Sequence, residues 1–381
     1  MWHRRCVSRW PNDLAALDFA TSWHSTSSVS GITKNPFDLA RDPGGSSSGT
    51  GSAISANLAV LGVGEDTGGS IRVPCSLCGL AGIRCTPGLI SRTGLSPLVV
   101  SQDTPGPMAR TVHDVALMLD VMVQFDPADP YTTAAPIAGK PRGGSYAANL
   151  ASKDISRARI GVLRSAFGPD SDPDCMSVNR VVQKALQTLR DSGTTLVDIE
   201  IPDKDAYINM SRVNAIESRS NLDRFLLKKR PDVVTSVERI KEEKTYHPNL
   251  GLFELVAAGP RDPTDDPTYA KRLEARGEFQ RLVMSVLVKN EVDAIVFPDC
   301  QIPSPLITDV LSRRWSPSEF PTNTQLAALA RLPAVTLPVG FTVSQLPVGL
   351  ELMGLLYQEQ HLLELAFGVE RLTKARRAPQ L

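Results

Sequence analysis

The stretch "DPGGSSSGTGSAISANLAVLGVGEDTGGSIRVPCSLCGLAGIRCTPG", Asp42 to Gly88, decides how the rest of the chain is read. It crowds serine, threonine and glycine between segments of ordinary composition. A flexible linker would be polar throughout and lack apolar runs. Here glycine clusters alternate with "AISANLAVLG" and "LCGLAGI", so the stretch is read as packed. Its glycines let backbone approach backbone or ligand closely.

Three kinds of chemistry use such a segment. A phosphate-binding loop needs G-x-x-x-x-G-K-[ST], and no lysine lies between Lys34 and Lys140. A nucleophile elbow needs G-x-S-x-G, and around Ser70 the sequence is "GGSIR", with Arg72 at the final glycine position. Acyl transfer by a serine beside a row of free backbone amides suits "EDTGGSIR". Gly68 and Gly69 carry no side chains, so the amides of Thr67, Gly68, Gly69 and Ser70 can converge on one oxygen. Each such preorganised donor is worth about 3 kcal/mol to a tetrahedral oxyanion.

The stretch closely resembles the signature of the amidase signature family, serine hydrolases of carboxamides. The likeness continues through "SQDTPGPMARTVHDVALML", "VDAIVFP" and "LPAVTLPVGF…LPVGLELMG", and covers the chain from about Asp18 to its end. The resemblance implies a Ser–Ser–Lys triad working without cofactor on a small-molecule amide. Carried onto this chain, Ser70 is the nucleophile that forms the acyl-enzyme. Ser46, 24 residues earlier (70 − 46 = 24), is the bridging serine, preceded by a cis peptide. The oxyanion hole falls on the amides of Thr67, Gly68, Gly69 and Ser70, with Asp66 and Arg72 as polar supports of the loop. Ser47, Ser48 and Ser52 are read as packing or loop-capping residues.

The family's lysine sits on an early strand, farther upstream than the 45 residues before Ser46 allow. Lys34, 12 residues away (46 − 34 = 12), falls in what the family makes a surface loop. The expectation is an N-terminally truncated member lacking the catalytic lysine and the first strands, with a sheet edge left unpaired. Two functions follow. One is an amidase that hydrolyses a carboxamide C–N bond through a serine acyl-enzyme, its activity reduced in this chain. The alternative is a catalytically inactive amidase-like protein with a binding or structural role.

The remaining composition agrees with an enzyme core. The chain has 381 residues, 42% hydrophobic and 22% charged, as in ordinary folded proteins. Lys plus Arg and Asp plus Glu stand at 41 each, which leaves no electrostatic footprint for nucleic acid. No apolar run is long enough to span a membrane and no signal core is seen, so a cytoplasmic protein is expected. Cys75 and Cys78 form a C-x-x-C without a second pair, and the five histidines are scattered. No metal site is expected, and these cysteines are read as buried small residues.

Alternation of patterns sets the fold expectation. "LAVLGVG" (Leu58 to Gly64), "RIGVL", "TTLVDIEIP", "VDAIVFP" and "LPAVTLPVGF" read as strands, the first and the last two as buried ones. Thr111 and Asp114 open a helix with Val115, Met118, Leu119 and Met122 on one face. Val181, Val182, Ala185, Leu186 and Leu189 share the face of another, and "HLLELAFGVERLTKA" closes the chain as an amphipathic helix. The sequence therefore predicts a single large α/β domain, 18–381, whose mixed β-sheet core is covered by helices. Residues 1–17 are left unassigned, and about 203–290 form a helical excursion over the substrate site.

Overall fold

The computed structural model describes residues 20–229, 235–316 and 319–380. The unassigned segment 1–17 lies outside them. Strands β1 (Leu61–Asp66), β2 (Ala81–Arg84), β3 (Thr104–Ala109), β4 (Arg159–Leu163), β5 (Thr195–Ile199), β6 (Ala294–Pro298), β7 (Ala334–Phe341) and β8 (Pro347–Met353) form one sheet. Their order among the described residues is β1-β3-β2-β7-β8-β6-β4-β5. β4 runs parallel to β5 and β6, and the other pairings are antiparallel. The predicted mixed sheet in a single α/β domain is thus what the chain builds.

Period-two alternation assigns the strand side chains to opposite faces. Ile160, Val162, Ala294, Val296, Val335, Leu337, Leu350 and Leu352 join one core. That core is closed by α3 (Val112–Met122), α4 (Pro173–Asp191) and α11 (Glu359–Thr373). Leu163, Ile295, Phe297, Ala334 and Met353 face the other side, against α9 (Tyr269–Lys289) and α10 (Gln325–Ala330). α3 begins as read: the Thr111 side chain accepts from the Asp114 amide at 3.1 Å, and Val115 and Leu119 are buried. On α4, Val182, Ala185, Leu186 and Leu189 are buried, and Val181 is partly so.

Within 203–290 the described residues form α5 (Lys204–Met210), α6 (Asn214–Lys229), α7 (Val237–Glu242) and α8 (Gly251–Ala258) before α9, with loops between them. Leu222, Val237, Ile240, Leu250, Phe253 and Val256 form a satellite cluster together with Leu98.

One strand departs from expectation. β1 starts three residues later than the apolar run and forms an edge paired only with β3 among the described residues. Leu58 and Val60 lie outside it, 59% and 61% exposed, and Leu61 and Val63 are also exposed. An apolar run reads the same whether one or both faces are covered, so sequence overstated its burial.

Candidate active site

β1 delivers Asp66 to the interior, and the chain then turns through Thr67-Gly68-Gly69-Ser70 into α2 (Arg72–Leu77). Every carbonyl of this turn is tied down. The Thr67 carbonyl accepts from Gln102 Nε2 at 2.5 Å. The Gly68 carbonyl accepts from Thr324 Oγ1 at 2.7 Å and Gln325 Nε2 at 3.1 Å. Gly69 and Ser70 carbonyls accept from the amides of Val73 at 2.8 Å and Ser47 at 3.2 Å. The amides of Thr67, Gly68, Gly69 and Ser70, in contrast, have no acceptor among the described residues. The four oxygens of the turn are thus engaged while its four N–H groups are left without an acceptor among the described residues.

Glycine is required at one point of this turn. Gly69 has φ +139°, and a Cβ there would come within 2.1 Å of Thr324 Oγ1. Only a bare backbone lets the 322–325 segment lie against the loop.

The first serine cluster, which leads into α1 (Ser48–Ser55), packs against the same turn. The Gly45–Ser46 peptide is cis, as the resemblance implies. Gly44 lies so close to α2 that a Cβ on it would stand 2.8 Å from Val73 Cγ1. Ser47 fastens the two loops twice: its amide to the Ser70 carbonyl, and its Oγ as acceptor from the Glu65 amide at 3.2 Å. Ser46 is buried and Ser70 half-buried, and among the described residues neither hydroxyl has a hydrogen-bond partner. Ser52 Oγ donates to the Lys34 carbonyl at 3.0 Å, while Lys34 itself is exposed. Ser48 departs from the capping role: its buried Oγ has no partner among the described residues.

Beneath the turn lies a fully buried ion network. Arg72 forks onto Asp66 at 3.1 and 3.0 Å, and reaches the Thr324 carbonyl at 2.8 Å and Glu351 Oε1 at 2.6 Å. Arg84 donates to Asp66 Oδ1 at 2.9 Å and to the Gln102 carbonyl at 2.7 Å. Burial works against the Asp66 charge, but Arg72 and Arg84 together hold its pKa down at about 2. Asp103, buried and accepting from Thr67 Oγ1 and the amides of Leu98 and Val99, is pushed up to about 6, burial being the cause.

Asp66 and Arg72 were legible in the sequence. Arg84, Asp299, Thr324 and Glu351 were not, although a charge inside "AGIR" or "PVGLELM" is a signal: a buried charge demands a partner. Among the described residues no group of three or more His, Cys, Asp or Glu side chains is arranged to hold a metal. Cys75, Cys78 and Cys85 are free and buried, and burial pushes their thiol pKa values up. No described helix is long and apolar enough to cross a membrane.

The profile of the Amidase family matches residues 16–363. The chain belongs to the Amidase family. Among curated proteins it is similar to a glutamyl-tRNA(Gln) amidotransferase subunit of Thermoanaerobacter pseudethanolicus. That alignment is 32% identical over 387 positions and covers 95% of this chain and 73% of the relative. Among solved structures it resembles the native peptide amidase of Stenotrophomonas maltophilia, with a TM-score of 0.80 and 30% identity over 96% of this chain and 73% of that one. The corresponding glutamyl-tRNA(Gln) amidotransferase subunit of Thermotoga maritima follows with a TM-score of 0.72 and 26% identity, over 96% and 75% of the two chains. These likenesses support a hydrolase of C–N bonds for the family fold described above.

Proposed function

We propose that the chain hydrolyses a carboxamide through an acyl-enzyme on Ser70. The observation that carries this reading is the turn 67–70, whose carbonyls are all engaged and whose four amides are free among the described residues. In the proposed reaction Ser70 Oγ adds to the amide carbon, and the negative oxygen is received by those amides. Ser46, on the loop fastened to Ser70, takes the nucleophile's proton and passes its own to the amide nitrogen, which leaves as the neutral amine. Collapse expels the amine, and water then releases the acid from Ser70. The substrate is a small-molecule amide, and the helical excursion of 203–290 shapes its approach.

A second reading is favoured by one observation. No amine or imidazole is hydrogen-bonded to Ser46 among the described residues, and Lys34 is exposed. Without a base Ser70 keeps its proton near neutral pH, and the fold then serves binding rather than turnover. Labelling of the purified chain with a fluorophosphonate, followed by mapping of the modified residue, separates the readings. Ser70→Ala should abolish labelling, and Ser47→Ala should leave most of it. Label found on Ser46 or Ser48 would overturn the assignment, and an unlabelled but folded chain would favour the binding role.

A further inference from the structure

Two carboxyls meet under the turn without a visible means of tolerating each other. Asp299 follows β6 directly, Glu351 lies in β8, and both are fully buried. The β7–β8 register sets Glu351 directly opposite Thr336, which places their side chains about 5 Å apart on one face. The Thr336 hydroxyl donates to Asp299 Oδ2, so both carboxyls converge on this one threonine. Glu351 Oε1 is taken by Arg72. The other two oxygens, Asp299 Oδ1 and Glu351 Oε2, are buried and have no donor among the described residues. Two buried acceptors on neighbouring carboxyls, each without a donor among the described residues, cannot satisfy one another unless one carries a proton.

We infer that Asp299 is a neutral carboxylic acid whose proton is shared with Glu351, forming an acid–carboxylate pair beneath the oxyanion turn. One proton between Oδ1 and Oε2 satisfies both orphans at once. The charge count agrees. The groups facing the pair are Arg72 and Cys75 of α2, Arg84 of β2, Asp66 of β1 and Cys300 beside Asp299. Burial keeps both thiols protonated. With Asp299 neutral, the two arginines balance Asp66 and Glu351; with Asp299 ionised, one buried negative charge is left over. Burial first, and the neighbouring Glu351 next, raise the Asp299 pKa well above an ordinary carboxyl value.

The backbone at Asp299 connects the pair to the turn. The Asp299 backbone carbonyl accepts from the Asn323 amide at 2.9 Å and from Thr322 Oγ1 at 3.0 Å. Thr322 Oγ1 lies 3.1 Å from Thr324 Oγ1, which donates to the Gly68 carbonyl. Its effect on the turn's amides matters only if the proposed reaction holds; its protonation is independent of that reaction.

Infrared difference spectra of the full chain at pH 8 test the pair directly. Wild type minus Asp299→Asn should show the loss of one carboxylic-acid carbonyl band. Wild type minus Glu351→Gln should show the same loss, because the amide introduced at position 351 supplies the donor and Asp299 then ionises to restore charge balance. The double variant leaves an arginine uncompensated and should unfold more readily than the two single effects sum to. Thermal unfolding against pH is the second readout. A native carboxyl that holds its proton more tightly than the unfolded chain loses stability as pH rises toward its folded pKa. Wild type should therefore fall relative to Asp299→Asn as pH rises. Parallel pH profiles, or difference spectra without an acid band, would overturn the inference whether or not the chain hydrolyses amides. Should Asp299→Asn fail to fold, the Glu351→Gln spectrum alone decides.

Discussion

In the parallel half of the sheet, β4 and β6 bury Ile160, Val162, Ala294, Ile295 and Val296. The antiparallel half adds Val335, Leu337, Leu350 and Leu352 to the same core and also buries Asp66, Arg72, Arg84, Thr336 and Glu351 between its strands and α2. Apolar area removed from water stabilises both halves, at about 25 cal/mol per Å². The second gains little net stability from its ion pairs, because desolvation offsets the attraction. What that network supplies is position. Arg72 ties Asp66, Thr324 and Glu351 together two residues after the turn 67–70. Apolar burial thus supplies the stability, and the charged network fixes where the segments around the turn 67–70 sit relative to one another.

The largest expected effect breaks the charged half. Arg72→Leu strands the Glu351 carboxylate and leaves Asp66 with Arg84 as its one remaining arginine partner among the described residues. Breaking one side of such a buried pair destabilises by about 3–5 kcal/mol. Urea unfolding of the variant should show that loss, and fluorophosphonate labelling of Ser70 should disappear even in the folded fraction. Ile160→Ala probes the other half. Ile160 is fully buried in β4, and truncation should cost about 2–5 kcal/mol through lost transfer energy and a residual cavity. Here the folded fraction should label at the wild-type rate. Labelling lost from a folded Ile160→Ala protein would show that the two halves are not separate in function.

The same division explains what could be read from sequence. "RIGVL" matches β4 residue for residue, because a short apolar run flanked by polar residues has few other solutions. The turn 67–70 was legible because glycines beside a serine state a backbone requirement. Arg84, Asp299 and Glu351 were missed because they lie in or beside strands whose apolar neighbours dominate any periodicity, and their partners lie far along the chain. Arg72 and Glu351, for example, are 279 residues apart. The edge position of β1 was missed for a related reason: pairing is a property of the sheet, and the run Leu58 to Gly64 does not encode which neighbours exist.

The smallest effect concerns acid, and it sharpens the comparison by isolating one charge. Asp66 has its pKa lowered from the model-compound 3.8 to about 2, since Arg72 and Arg84 outweigh the burial that opposes its charge. Between those values the unfolded chain binds more protons than the folded one. Stability from Asp66 is therefore complete above the unfolded value and is lost as pH falls through the folded value. A shift of this size corresponds to on the order of 2 kcal/mol. Asp66→Asn keeps the shape of the side chain but cannot be charged at any pH. The variant should be less stable than wild type at neutral pH, because both arginines lose a carboxylate. The gap should then narrow as pH drops from about 4 toward 2, where wild-type Asp66 is itself becoming neutral. Unfolding curves of the two proteins measured across that window should converge. A constant gap would mean that the Asp66 charge adds nothing to its hydrogen bonds, and that the network is held by geometry alone.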